Sequence, residues 1–520
     1  MKRSLSAMAL RACRARRRSE LRDPMSEESA TAVRLDSLRS ILSGASVFVV
    51  GQLFVKLAGF AINALLIRGL GPELYGVYAY AKSFIDVSNT VTTLGSDLAV
   101  LRFLPAFETD PVRQNRVLGM ASAVSFLGSL LVAGGLFVFA PTINHYTLDQ
   151  PAFTSVLRLF AFVLPFDTLT TLVSGTFRGI ELPAYQVFTK KVLRPVLRLA
   201  AVGISLLVGL SLLGTIGALV VASVAVFVLA GLILFRRTAL RPRSPTSTAE
   251  VAEFFDYSVP LMFSRAGSIL YSRIDVFMVG FLLSSEAVGF YNIGFLVSSV
   301  VALPLLGLSQ IFTPIASRLF NADDYEGLNS IYSTVTRWAF SVSLLAALFT
   351  VVYASEMLAL FGPTVVRGAP VLQLFAVGQL LNAAVGPSNE LLMMTDHERL
   401  SFINHWVFGV VNVALNYVFI QNFDFVGAAL ATASVLALLN VVRWLEIRHL
   451  EGLSPYSYRY YKPLVAGAAA VVVFYLSTFL ALGIQLLIVG GLLGGLAFGL
   501  VLYALGIEQD DREFFAGLSD

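Results

Sequence analysis

The residues of this sequence that could do chemistry are ten charged side chains set inside long apolar runs. The basic ones are Lys56, Lys82, Arg158, Arg265 and Arg273; the acidic ones are Asp86, Asp97, Asp167, Asp275 and Glu390. On insertion scales a charge at the centre of a membrane helix costs about 2.5–3.5 kcal/mol, so each marks a candidate substrate or ion pathway. Lysine offers a point charge and arginine a planar fork of donors, and both suit a compact polyanion such as a phosphate group. Lys56, Arg265 and Arg273 are the candidates for such a clamp. Arg265 and Arg273 are eight residues apart, about 12 Å along one broad face of a helix, a spacing that suits a ladder of anion contacts. Structural ion pairing is the competing role. Lys82 and Asp86 sit four apart and are expected to pair with each other. Asp275 leaves the helix on another side from Arg273, so a partner for Arg273 must come from another element. Asp86 and Asp275 are the candidates for coupling to protons or sodium, with neutralisation of nearby cations as the alternative.

Elements that could place these charges must be apolar and long. The chain has 520 residues, 57% hydrophobic and only 13% charged, with a mean hydropathy of +0.77. A soluble domain carries about a quarter charged residues, so the composition excludes a string of soluble domains and leaves a polytopic membrane protein. A spanning helix needs about 20 mostly apolar residues. The runs here are long and continuous, not the short alternating segments of a barrel. They predict an all-α protein with about fourteen transmembrane helices: 41–66, 76–101, 117–140, 153–176, 192–211, 214–235, 254–283, 288–316, 333–354, 370–393, 401–420, 425–446, 464–482 and 485–506. Turn residues such as Gly71-Pro72, Pro141, Gly179, Pro242, Gly362-Pro363 and Gly452 fall at the breaks.

Positive charge sets the orientation. With the N-terminus inside, 30 of the 37 Lys and Arg fall on the inner side and only Arg68 and Arg367 in outer loops. Arg194, Arg198, Arg337 and Arg443 lie in the innermost turns of spans and are counted as inner because long basic side chains snorkel to the interface. Both termini are therefore expected in the cytoplasm. The Arg-rich beginning lacks the apolar core of a secretory signal. It reads either as a basic tail touching anionic lipid or as an extension upstream of a true start at Met25.

The sequence also repeats. Glu73-x-x-Gly76-x-Tyr78 after the first span matches Glu286-x-x-Gly289-x-Tyr291 after the seventh, at an offset of 213. Gly217-Ala218-Leu219 opens the sixth span and Gly427-Ala428-Ala429 the twelfth, at an offset of 210. Duplication of a six-helix unit follows, with the last two spans appended. An even number of spans per unit gives both units the same topology, the parallel-repeat plan of some secondary transporters. The expected segments are a basic tail (1–40), a first six-helix lobe (41–236), a cytoplasmic linker (237–252), a second lobe (253–446), two additional helices (447–507) and a cytoplasmic tail (508–520).

Arg273-Ile274-Asp275-Val276-Phe277-Met278-Val279-Gly280 running into Glu286-Ala287-Val288-Gly289-Phe290-Tyr291-Asn292 resembles the seventh-span signature of prokaryotic oligosaccharide flippases. Asn412-x3-Asn416 followed by Gly427-Ala428-Ala429-Leu430-Ala431-Thr432 is similar to their eleventh-to-twelfth-span signature. Thr395-Asp396-His397-Glu398-Arg399-Leu400 resembles the inner loop before it, with Asp396 where a glycine is commoner. These are the Wzx-like polysaccharide transporters of the multidrug/oligosaccharidyl-lipid/polysaccharide exporter superfamily, and the likeness covers roughly 41–506. The resemblance implies two six-helix lobes around a cavity that opens alternately to each side, and movement of a polyprenyl-linked oligosaccharide across the cell membrane. It would place the first, second and seventh spans at the lobe interface. A cation-coupled exporter of small molecules from the same superfamily is the alternative.

Other chemistry finds no support. There is no P-loop and no nucleophile–base pair. Cys13 is the only cysteine, and the four histidines are scattered. No enzyme activity, cofactor, metal or nucleic acid is expected; membrane lipid and glycosyltransferases of the same pathway are the expected partners. Asn404, His405, Asn412, Asn416, Tyr417 and Asn440 are read as interhelical glue before sugar ligands. Gly490, Gly491, Gly494, Gly495 and Gly499 are read as close-packing positions of the last span.

Overall fold

The computed structural model describes the backbone of residues 27–480 and 482–506, and side chains from residue 51 onward except those of 263–272. Cys13, Met25 and the Arg-rich beginning lie outside the described residues, as does the side chain of Arg265. Among the described residues, those from Phe48 onward form one compact unit, separate from the chain before it. The fold and the site belong to that unit.

The described residues are helical, without a strand. In chain order the helices are α1 Glu27–Thr92, α2 Ser96–Ala106, α3 Pro111–Tyr146, α4 Pro151–Gly179, α5 Pro183–Val187, α6 Arg194–Leu207, α7 Leu212–Arg237, α8 Thr248–Leu282, α9 Ser285–Ser298, α10 Leu303–Asn321, α11 Tyr325–Val352, α12 Ala354–Ala359, α13 Ala369–Val385, α14 Ser388–Met394, α15 Glu398–Leu450, α16 Tyr461–Ser477 and α17 Gly483–Ala504. Their starts follow local chemistry. Asp110 accepts from the backbone N–H of Val112 and Arg113 ahead of α3, with Pro111 needing no donor partner. Ser247, Ser284 and Asp324 cap α8, α9 and α11 in the same way.

Two of the longest helices are hairpins. α1 breaks at Gly71, whose φ of 82° is open to glycine without a β-carbon penalty. Tyr75 then donates to Asn63 at 2.6 Å, although twelve residues of straight helix would separate them by about 18 Å. α15 breaks at Phe423 and Asp424, and Asn404 meets Glu446 at 2.8 Å. Among the described residues nine helices are long and apolar enough to cross a membrane, or ten when the bent pair α9–α10 is one crossing. Two of those nine contain the hairpins, and helical segments lie at each of the fourteen expected spans.

The eighth expected span departs from a straight rod. α9 and α10 meet at 52° across Ser299–Ala302. Pro304 in the first turn of α10 cannot donate back into α9, which explains the break. The tenth span is likewise cut at Gly386-Pro387, between α13 and α14.

Of the residues of α15 expected to join helices, Asn404, His405 and Asn412 do tie its two arms together. Asn416 bonds within its own arm, Tyr417 is exposed, and the buried amide of Asn440 has no hydrogen-bond partner among the described residues. Asn416 donates to Asn412 at 2.7 Å, and Thr432 of the return arm approaches Asn412 at 3.4 Å. Gly490 and Gly494 of α17 face Tyr353 and Phe474 at close range and Gly491 faces Phe349, whereas Gly495 and Gly499 face open space. The close-packing role thus holds for Gly490, Gly491 and Gly494 and not for Gly495 and Gly499.

Candidate functional site

A cavity of about 380 Å³ opens among the two arms of α1, α4, α6 and α7. Apolar walls come from Val55, Ile62, Tyr78, Ile85, Phe160, Val163 and Leu219. Six charged groups line it: Lys82, Lys190, Arg194 and Arg198 against Asp86 and Asp167. Four cations facing two carboxylates leave the wall with two more positive charges than negative ones.

Local backbone geometry aims the arginines. Between α5 and α6 the chain makes a π-helical turn, Phe188–Leu193. Pro195 follows, and the wider turn suits a position that lacks a donor. Arg194 and Arg198 are four apart on α6 and share one face. Both donate to Asp167 Oδ2 of α4, at 2.5 and 2.7 Å. The Asp167 side chain is only 6% exposed and those of the arginines about a quarter. Snorkelling was the expectation for Arg194 and Arg198. A carboxylate across the gap offers them a stronger partner than interfacial water, and they turn inward. Arg337 and Arg443, also expected to snorkel, are buried too; Arg443 reaches Asn389 at 3.2 Å and His405 at 3.4 Å.

The second charged group continues toward the other half of the chain. Lys82 and Asp86 form the expected i,i+4 pair on the second arm of α1. Arg273 of α8 stands 4.0 Å from Asp86, the partner that its own helix could not supply. Its guanidinium also lies 5.9 Å from the centre of the Phe295 ring of α9. Arg198 is near enough to attract Asp86, so the two groups form one electrostatic network.

Lys56, from the expected clamp, does not line this cavity. It reaches across to α9 and donates to Ser299 Oγ at 2.8 Å, at the break of the bent pair. It remains close enough to Arg273 to repel it. Asp275 is 2% exposed and lies apart from the cavity wall; Tyr291 donates to its carboxylate, as does the backbone N–H of Val276 at 2.9 Å. Arg158 covers the Phe137 ring at the opposite end of α4.

Thus the structure groups Asp86 with Arg273 and sets Lys56 and Asp275 elsewhere on the interface. The cavity's strongest cations, Arg194 and Arg198, escaped the sequence reading. A signal existed: two arginines four apart at one end of a span, beside a preceding span whose lone mid-span carboxylate had no partner of its own.

The family profile described as Polysaccharide biosynthesis protein matches residues 41–320, more than half of the chain. The chain belongs to the polysaccharide biosynthesis protein family. A second profile, described as MatE, matches 260–418. Among curated relatives, the probable flippase AglR of Haloferax volcanii is 25% identical over 89% of this chain and 95% of its own length. The teichuronic acid biosynthesis protein TuaB of Bacillus subtilis is 28% identical over 43% of this chain and 47% of its own. Among solved structures, the lipid II flippase MurJ in an inward closed conformation superposes with a TM-score of 0.71 at 13% identity. It covers 88% of this chain and 98% of its own. An inward-facing multidrug resistance MATE family transporter of the MOP superfamily gives 0.68 at 15%, over 76% and 94%. At such identities these structures show the fold alone, and with its long apolar helices this family member is an all-α, multi-pass membrane protein.

Proposed function

We propose that this family member is a flippase that carries lipid-linked oligosaccharide or polysaccharide precursors across the cytoplasmic membrane by alternating access. The observation that carries the proposal is the cavity whose wall holds four cations against two carboxylates. A polyprenyl carrier's phosphate head is a compact anion, and donors in a low-dielectric wall bind it more strongly than they would in water. Lys82, Arg194 and Arg198 serve that head, Arg273 with Arg265 extends the contacts toward the second lobe, and Lys56, which here bonds Ser299, joins them when the interface opens. The full-length relative AglR, named a probable flippase, supports the same reading.

The rest of the proposal follows the sequence. Fourteen spans form two six-helix lobes, 41–236 and 253–446, and a final pair, with both termini cytoplasmic. Glycosyltransferases of the same pathway supply the substrate. Between the two coupling candidates the geometry favours Asp275: Asp86 is committed to Lys82 and Arg273, whereas Asp275 accepts hydrogen bonds from the Tyr291 hydroxyl and the Val276 backbone.

A strain lacking the gene tests this. It should hold its lipid-linked oligosaccharide on the inner leaflet and lose surface glycan, and wild type should restore both where Arg198→Ala does not. Unchanged surface glycan together with raised sensitivity to cationic drugs would instead establish the small-molecule exporter.

A further inference from the structure

The repeated motif marks the place where the two halves touch. Gly76 opens the second arm of α1 and Gly289 opens α9, 213 residues later. A β-carbon on Gly76 would stand 1.7 Å from the Ser285 carbonyl oxygen, and one on Gly289 would stand 2.6 Å from that of Pro72. Each glycine thus meets the carbonyl four residues before the other, and Pro72 and Ser285 are themselves 213 apart. The contact obeys the internal symmetry of the chain. Each glycine also lies within 4 Å of the other's backbone nitrogen, measured from that added carbon. Only hydrogen at both positions permits such an approach.

A polar chain runs beside the contact. Asn292 of α9 donates to the Tyr75 hydroxyl at 2.6 Å, and that hydroxyl donates to Asn63 Oδ1 at 2.6 Å. Tyr75 is fully buried, and Asn63 lines the cation-rich cavity. The hydroxyl therefore links a wall of the cavity to the opposite half through one atom.

We propose that Gly76 and Gly289 form the gate that closes the outer end of the interface, and that Tyr75 is its latch, held from the cavity side by Asn63. Alternating access requires this contact to separate. Backbone packing through two glycines is a contact that forms fully or is lost, which suits a two-state element. The latch sets the balance: when Asn63 turns to another partner, the Tyr75 hydroxyl loses its acceptor, and the closed state loses one of its ties.

The test uses the full chain in lipid nanodiscs, with Cys13→Ser and spin labels at Glu73→Cys and Glu286→Cys. These exposed symmetry-related positions flank the gate. Double electron–electron resonance should give one short distance for the parent. Gly289→Ala, Tyr75→Phe and Asn63→Ala should each add a longer population, largest for Gly289→Ala. Size-exclusion profiles and helicity identify any variant that misfolds, and Tyr75→Phe keeps the ring packing. An unchanged distribution in folded Gly289→Ala would overturn the gate. An unchanged distribution in both Tyr75→Phe and Asn63→Ala would overturn the latch.

Discussion

Arg273 of α8 stands 4.0 Å from Asp86 of α1, and this ion pair crosses between the two halves of the repeat. Both side chains are about one-third exposed, so solvent screens the pair and its contribution to stability is below about 1 kcal/mol. Under the proposed function its value lies in holding a guanidinium close to the cavity through Asp86. Arg273→Ala should therefore change the thermal unfolding midpoint in detergent very little, while the flipping rate in proteoliposomes falls several-fold. A large loss of stability with normal flipping would reverse the assignment.

Asp167 is a different case, because it is nearly enclosed and holds two guanidinium groups. Removing one partner of a buried ionic cluster leaves charge without compensation, which typically costs about 3–5 kcal/mol; the quarter-exposed arginines place this site at or below the lower end of that range. Asp167→Ala should unfold several degrees earlier than the parent. Combining it with Arg194→Met should recover part of the loss, since one of the two facing cations is then gone. A double-mutant cycle read by thermal unfolding gives the answer, and additive effects would mean that the cluster is not a unit.

Asp275 and Tyr291 form a buried pair through a hydrogen bond donated by the phenol. Asp275→Asn keeps an oxygen that accepts this bond, so the fold should survive. If Asp275 couples transport to a cation, the same variant should flatten the dependence of flipping on sodium or on a proton gradient. Tyr291→Phe removes the donor but keeps the charge, and should lower stability by about 1–3 kcal/mol. Unaltered ion dependence in Asp275→Asn would leave Asp275 a packing residue.

Much of this could be read from the sequence for physical reasons. Long apolar runs have one economical outcome in lipid, and the Glu-x-x-Gly-x-Tyr repeat signalled the duplication, although not that its two glycines would meet. The i,i+4 pair Lys82–Asp86 follows from helical spacing alone. Arg194, Arg198 and Asp167 were harder, because their meeting depends on how two spans face each other and on the π-turn at Phe188–Leu193. The bend between α9 and α10 departs from the single span expected over 288–316, because hydropathy runs unbroken through Pro304, the residue that marks it. Lys56 illustrates the converse: its burial was legible, but the direction of its side chain, toward Ser299 and away from the cavity, is a matter of helix rotation that no spacing rule fixes.

At the cytoplasmic end, in the proposed orientation, the linker between the lobes is strapped to α3. Arg241 and Arg243 donate backbone N–H groups to Asn115, at 2.6 and 2.9 Å. Glu250 in the first turn of α8 accepts from the Thr246 backbone at 3.1 Å and from Arg116 at 3.0 Å, and Glu253 meets Arg113 at 3.2 Å. The Thr246 N–H foremost, and then Arg116, hold the Glu250 carboxyl below the usual range for glutamate. A carboxyl depressed in the folded chain stabilises the strap above its unfolded value, and that contribution is lost as pH falls through the lowered one. A spin label at Ser244→Cys in a Cys13→Ser background should thus be immobile at neutral pH and gain a mobile component as pH drops below about 4, the ordinary glutamate range. Salt of about 1 M, where the Debye length is about 3 Å, should loosen the Arg113 and Arg116 contacts in the same direction. Glu250→Gln should be partly mobile already at neutral pH and insensitive to acid over that window. If its spectrum at neutral pH equals that of the parent, the ion pairs do not hold the linker, and the backbone bonds to Asn115 are sufficient by themselves.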